Sequence, residues 1–458
     1  MRDIDILHDL LKKQCPQIHQ KRLNSLMVAT ESLLDGNQLS LTQLGRNITG
    51  NVAPKHNIKR IDRLLGNLHV IKDKFAIYQW HAQYLCGANP MPIILVDWSD
   101  VREQLRMMTL RASISVKGRS ITLYERTFLF EDYNAPRSHN AFLVELANVL
   151  PPGCCPLIVT DAGYRNTWFR EVERHGWFWL GRVRGDVSFM LNGQTSWQSN
   201  KSLYPKANST AKYIGSVKLA RKSPLQCCLH LFKAKPKLRK DKRSSKAGRN
   251  HTAQKSYSLG SKEPWLLATN LPPDYFGPSK VVDLYAKRMQ IEETFRDLKS
   301  PQYGMGLRQS RSRCPKRYDV LLLIAMLAEI VLWCIGLAAQ HLGWQRYFQA
   351  NTVRQRAVLS IVRLGKEVRK RDKYPVKEAI FRWALVEYIN LVHDAGRPKL
   401  CGDPPALCQG ANANVIGRSP VSICPSRAFC GEFRQLVICH FYPSHLALLE
   451  SFQLHHWH

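Results

Sequence analysis

The sequence predicts an α/β layer fold flanked by helical regions, and three observations carry that expectation. Short apolar runs such as Pro92-Ile93-Ile94-Leu95-Val96 and Pro156-Leu157-Ile158-Val159 are bounded by turns and too apolar for an exposed sheet edge, the texture of buried strands. Helical segments near residues 141–149 and 167–175 interleave with them. Helix-like patterns fill residues 1–90 and return from 317 into the 380s. With 458 residues, 45% hydrophobic and 22% charged, the chain has the composition of a globular protein and the length for roughly two to four domains.

Charge narrows the partners. Lys and Arg number 67 against 35 Asp and Glu, a net +32 with a pI near 9.9, and such a surplus repels itself unless a polyanion is a regular partner. Nucleic acid is the first candidate, ahead of ribosome association or a membrane surface. The N-terminus lacks the apolar stretch and cleavage site of a secretory signal, so a cytoplasmic protein is expected. Thirteen cysteines form no Cys-x-x-Cys pair and their number is odd, which favours reduced thiols. Residues 320–339 hold one charged side chain, Glu329, and read as a buried helix rather than a membrane span.

Taken in order, residues 1–90 read as helices, including 5–13, 21–34, 41–47 and 56–65, a helical DNA-binding domain. Ser40 caps the third, and the basic fourth completes a helix-turn-helix-like pair. Ile58, Ile61, Leu64 and Leu65 are expected in the core, leaving Lys55, Lys59, Arg60 and Arg63 for phosphates. The first part of the α/β core spans 91–181, with strands at 107–116 and 120–130 around a Lys117-Gly118-Arg119 turn. Residues 182–262 look like a β-rich insertion, and within it 233–249 carries nine Lys or Arg against one Asp. Core resumes over 263–316 with the strand Trp265-Leu266-Leu267-Ala268-Thr269 and a helix at 279–299. A helical region covers 317–395, and 396–458 is an atypical tail rich in Cys, Pro and His, with no recurrent zinc-ligand spacing.

Three carboxylates carry the chemistry. Asp97 and Asp161 are expected at the carboxyl ends of buried strands, where α/β sheets place ligands. Each is costly there unless paired or metal-bound, so together they point to a shared cation. On the helix at 279–299, Tyr285, Arg288, Glu292 and Lys299 fall within roughly 60° of one another at about 100° per residue. Leu284, Ile291, Phe295 and Leu298 form the neighbouring apolar stripe, which sets Glu292 at its edge and turns Glu293 away. Three hard oxygen donors suit Mg²⁺, and two such ions would serve in-line displacement at phosphorus.

The signature Tyr285-x2-Arg288-x3-Glu292-x6-Lys299, with Val96-Asp97-Trp98 and Thr160-Asp161-Ala162-Gly163 upstream, resembles that of DDE transposases of the insertion-sequence-four family. The resemblance covers about residues 1–390 and stops at the tail. It implies an RNase H-like catalytic core with a β-rich insertion, two Mg²⁺ ions with Mn²⁺ able to substitute, and Asp97, Asp161 and Glu292 as catalytic metal ligands. It also implies double-stranded DNA partners at transposon ends and target, a homodimeric synaptic complex, and cut-and-paste transposition through hairpin ends. Tyr285, Arg288 and Lys299 would hold phosphates, and Trp265 would receive a flipped base. The rival readings are a nuclease of the same core that cuts without joining, and an inactive transposase acting as a DNA-binding regulator.

Overall fold

The computed structural model describes residues 3–87, 89–102, 107–116, 118–234, 263–353 and 355–395. The tail from 396 and most of the basic run at 233–249 lie outside the described residues.

Helices α1 (Asp3–Gln14), α2 (Gln20–Gly36), α3 (Leu41–Arg46) and α4 (Pro54–Leu65) open the chain. The Ser40 hydroxyl caps α3 by accepting from the Gln43 amide at 3.4 Å, and Pro54 starts α4 where its missing N–H costs nothing. A Cβ at Gly45 would stand 2.5 Å from the Ile58 Cα, so only glycine lets α3 cross α4 this closely. Ile61, Leu64 and Leu65 are buried, Ile58 is half-buried, and Lys55, Lys59, Arg60 and Arg63 are exposed. A fifth helix, α5 (Leu68–Cys86), fills the rest of the stretch expected to be helical, with bounds the sequence did not mark.

One ten-stranded sheet forms the centre, in the order β3-β2-β1-β4-β5-β10-β9-β8-β6-β7. Its first half comprises β1 (Ile93–Arg102), β2 (Met107–Ser115), β3 (Ser120–Leu129), β4 (Leu157–Thr160) and β5 (Phe178–Val183). In that half β3, β2 and β1 are antiparallel, whereas β4 runs parallel to β1 and β5 parallel to β4. Order and directions together make a mixed sheet, antiparallel on one side of β1 and parallel on the other. Helices α6 (Pro136–Val149) and α7 (Asn166–Arg174) supply the crossovers.

The strands of the inserted region are β6 (Ser188–Leu191), β7 (Gln198–Ser199), β8 (Lys212–Leu219) and β9 (Leu225–Phe232). They extend the same sheet, because β10 (Trp265–Thr269) lies antiparallel between β5 and β9. The period of two then sorts the side chains of each strand. Ile94, Val96 and Ile158 enter one core with α5, α6 and α7, while Ile93, Leu95, Leu157 and Val159 enter the other.

That second core is closed by α8 (Pro278–Ala286) and α9 (Met289–Lys299). The single helix expected over 279–299 is interrupted. Arg288 donates its amide to the Tyr285 carbonyl (3.0 Å) and Gln290 to Lys287 (3.0 Å), so a tight 3₁₀ turn separates the two helices.

On the opposite side runs α10 (Pro315–His341), whose residues 318–339 are all buried. By length and composition it is apolar enough to cross a membrane, yet the N-terminal helices, β3 and the following helices enclose it. Helices α11 (Ile361–Arg369) and α12 (Glu378–Ala395) follow, after a 3₁₀ turn at Trp344–Phe348. Cβ atoms at Gly336 and Gly365 would meet the Ile361 and Leu332 carbonyl oxygens at 2.0 and 2.1 Å, so α10 and α11 touch backbone to backbone.

Candidate active site

Strand parity and register bring the two aspartates together. In the parallel pair, Leu95 faces Val159 and Val96 faces Thr160, which sets Asp97 beside Asp161 one step further on. Both continue the face of Leu95 and Val159, the face that α8 and α9 cover. Asp161 follows β4 directly, as expected, and is shaped by an amide of its own turn: Gly163 N–H donates to its Oδ1 at 2.8 Å. Asp97 departs from expectation. It does not end β1, which continues to Arg102 because β2 keeps pairing with it as far as Met107.

Glu292, in the first turn of α9, completes the group. Asp97, Asp161, Glu292 and Lys299 line one cavity of about 550 Å³, along with Trp98, Phe295 and Arg308. The neighbouring Glu293 instead pairs with Arg296 at 2.6 Å. Arg288 lies between two of the acids, with Nη1 2.6 Å from Glu292 Oε1 and 3.7 Å from Asp97 Oδ2. Among the described residues, no three Asp, Glu, His or Cys side chains stand close enough to ligate one ion in this arrangement. The guanidinium occupies the space between them. Its charge is well held: burial works against it, yet Tyr285, Glu292 and Asp97 keep its pKa above the ordinary value.

Asp97 is under-compensated. Burial, then the charge of Asp161, pushes Asp97 up to about 7 against the opposing pull of Arg288. Arg111, the register partner of Asp97 on β2, does not relieve it, being committed to Glu125 at 2.6 Å. A set of three hard oxygen donors with excess negative charge fits a divalent cation once Arg288 leaves Glu292.

Lys299 donates to Asp100 Oδ1 at 2.7 Å, and Arg308 reaches the other oxygen at 2.9 Å. Burial pulls the Lys299 pKa below the ordinary lysine value despite that partner. Tyr285 and Trp265 sit together, rings edge-on at 5.0 Å, and Trp265 also packs on Phe232 at 5.8 Å. Neither lines the acid cavity, nor do Lys55, Lys59, Arg60 or Arg63.

Sequence reasoning missed three neighbours of the site. Asp100 follows Asp97 by three residues, a signal hidden by placing the strand end too early. Arg308 comes from a short 3₁₀ turn, Leu307–Gln309, with no motif. The Tyr164 hydroxyl is buried without a hydrogen-bond partner, and burial, Asp97 and Asp161 together raise its pKa well above the ordinary value. Its place three residues after Asp161 was the available clue.

The sequence pattern of the "Transposase DDE domain" family matches residues 89–328, which is 240 of the 458 residues and includes all three acids. No curated protein matches the chain. Among solved structures, a cryo-EM structure of a piggyBac transposase synaptic complex with hairpin DNA is similar over 88% of this chain and 78% of that one. Its TM-score is 0.38 and its sequence identity 10%.

Proposed function

Since this chain belongs to the transposase DDE domain family, we propose that it is a DNA transposase whose Asp97, Asp161 and Glu292 hold two Mg²⁺ ions for phosphoryl transfer. Within the family the reading is an insertion-sequence-four transposase close to that of the composite transposon numbered ten. The observation that carries it is the convergence of three carboxylates, from β1, the end of β4 and α9, on one cavity in which Asp97 is left short of compensating charge.

A divalent ion held by Asp97, Asp161 and Glu292 would polarise a phosphoryl oxygen and lower the pKa of a water or 3′-hydroxyl. The chain's own residues do the rest. Arg288 exchanges Glu292 for a phosphate oxygen, a swap between two charge-assisted bonds that frees Glu292 as a ligand. Lys299 makes the same exchange from Asp100, and the Tyr285 hydroxyl orients Arg288. Trp265, half-buried at the rim of the second core, stacks a base displaced from the duplex during hairpin formation. Exposed Lys55, Lys59, Arg60 and Arg63 on α4 hold the backbone of the element's ends. Two chains synapse two ends as a homodimer in the cytoplasm, and a target duplex then receives them.

The test uses the full chain, Mg²⁺ and a duplex carrying the terminal inverted repeats that flank its reading frame. Asp97→Asn, Asp161→Asn and Glu292→Gln should each lower nicking on the order of a hundred- to a thousand-fold or more while duplex binding persists. Glu293→Gln should stay active. Metal-independent nicking, or an inactive Glu293→Gln beside an active Glu292→Gln, overturns the assignment.

A further inference from the structure

A second cavity, of about 770 Å³, opens where the Trp344–Phe348 turn meets α11. Tyr347, Phe348 and Tyr374 supply its aromatic walls, Arg363, Arg371 and Lys373 its positive charge, and Glu367 and Asp372 its negative charge. The rings form one group: Tyr347 stacks on Tyr374 at 6.0 Å and 28°, while Phe348 and Trp344 approach Tyr374 at 5.2 and 5.3 Å. Cations lie over two of them, Arg371 at 5.1 Å from Phe348 and Lys373 at 5.9 Å from Tyr374. Tyr347 is 72% exposed, far more than a packing aromatic requires.

Charge selects the occupant. Residues 346–377 hold ten Lys or Arg against two acids. Both acids, Glu367 and Asp372, line the cavity with Arg363, Arg371 and Lys373, and Glu367 is shared by Arg363 at 2.7 Å and Arg371 at 3.0 Å, so the lining itself carries one cation in excess and the wider segment the larger positive surplus. Aromatic faces interleaved with cations suit a polyanion that has flat apolar groups, which a duplex keeps stacked inside and an unpaired strand presents.

The cavity is also joined to the acid site through the loop after α9. Ser300 and Pro301 of that loop line the acid cavity. Two and three residues on, the Tyr303 carbonyl accepts from Arg363 Nη1 at 3.1 Å and the Gly304 carbonyl from Lys366 at 2.7 Å. Tyr303 itself is 61% exposed, with the Arg363 guanidinium 5.8 Å from its ring.

We propose that the Tyr347–Tyr374 cavity is a second nucleic-acid site, which takes the unpaired bases of a DNA strand whose phosphodiester lies at the acid cavity. This rests on the reading of DNA as substrate. Bases stack on Tyr347 and Tyr374, the phosphates between them meet Arg363, Arg371 and Lys373, and the loop carrying Tyr303 guides the strand from one cavity to the other. Because every base has a π face, the site is indifferent to sequence.

Fluorescence anisotropy with the full chain in chelator, where no cutting occurs, tests this with two probes. One is a blunt duplex of the terminal repeat, and the other is the same duplex with a single-stranded extension, made in both polarities. The wild-type chain should bind one extended probe more tightly than the blunt one. Tyr347→Ala should weaken that probe about fivefold or more and leave the blunt duplex unchanged, whereas Tyr347→Phe should keep the gain. Unchanged binding of the extended probe by Tyr347→Ala, an equal loss on both probes, or a Tyr347→Phe as weak as the alanine variant would each refute the site while leaving the DNA reading standing. A wild-type chain that binds neither probe would refute the DNA reading, and this inference with it.

Discussion

Asp97 and Glu125 lie in one row across the sheet, with Arg111 between them on β2. Glu125 has Arg111 at 2.6 Å and the Tyr78 hydroxyl at 3.3 Å, and nearby Asp319 has Lys74 at 2.6 Å and the Thr127 amide at 2.8 Å. Asp97 has no cation nearer than Arg288 at 3.7 Å among the ion pairs, and Arg288 is shared with Glu292. The two regions are equally deep in chemistry and opposite in charge balance. An interior carboxylate that owns a cation is part of the scaffold, whereas one left short beside a cavity is open to a cation from outside.

The comparison breaks most visibly through Glu125→Gln, which strands the Arg111 guanidinium in the core. A loss of about 3–5 kcal/mol is expected, read as a lower urea midpoint with DNA cleavage by the surviving folded fraction retained. A cost under about 1 kcal/mol would mean that pairing is not what separates the two regions.

Asp97→Asn should act with the opposite sign. Asp97 is raised to about 7 in the folded chain against 3.8 ordinarily, so the folded state holds a proton that the unfolded state has lost between those values. Stability therefore falls as pH rises from 4 to 7, and the penalty is full above 7. Replacing the acid with a neutral amide should stabilise the metal-free chain by on the order of 2–4 kcal/mol at pH 8 and by less at pH 5. Thermal melts at both pH values check this, and a gain that grows toward acid would contradict the charge argument.

The smallest effect is expected at Asp100, whose carboxylate is 36% exposed and shared by Lys299 and Arg308. Asp100→Asn should cost less than about 1 kcal/mol in a denaturant titration, and a loss like that of Glu125→Gln would move Asp100 into the scaffold class.

Local pattern made much of this legible. The runs ending at Val96 and Val159 announced buried strands, and the spacing of Arg288 and Glu292 placed them on one stripe, where their side chains meet at 2.6 Å. What the pattern hid depends on partners distant in sequence. β1 runs on past Trp98 through the polar Ser99 and Asp100, which interrupt the strand texture, because β2 is there to pair with them. The 3₁₀ turn at 287–288 has no glycine or proline to mark it. Helix α5 buries residues on several sides, Lys74 and His81 among them, so it lacks the single apolar stripe that identifies a surface helix. Arg288 between the acids was legible as a neighbour on a helix, and its reach to Asp97 on β1 was not.

The enclosure of α10 bears on the order in which the chain is made. A 27-residue helix of this apolarity, appearing alone at the ribosome exit, would be a target for chaperones and membrane-insertion machinery. It appears instead after more than 300 residues have been synthesised, when the N-terminal helices and β3 that cover one part of it are already available and only α11 and α12 are still to come. Placing the least soluble segment behind its own docking surface lets synthesis shield it almost as soon as it emerges. A rearranged gene that began at Pro315 would deliver the same helix with nothing waiting for it.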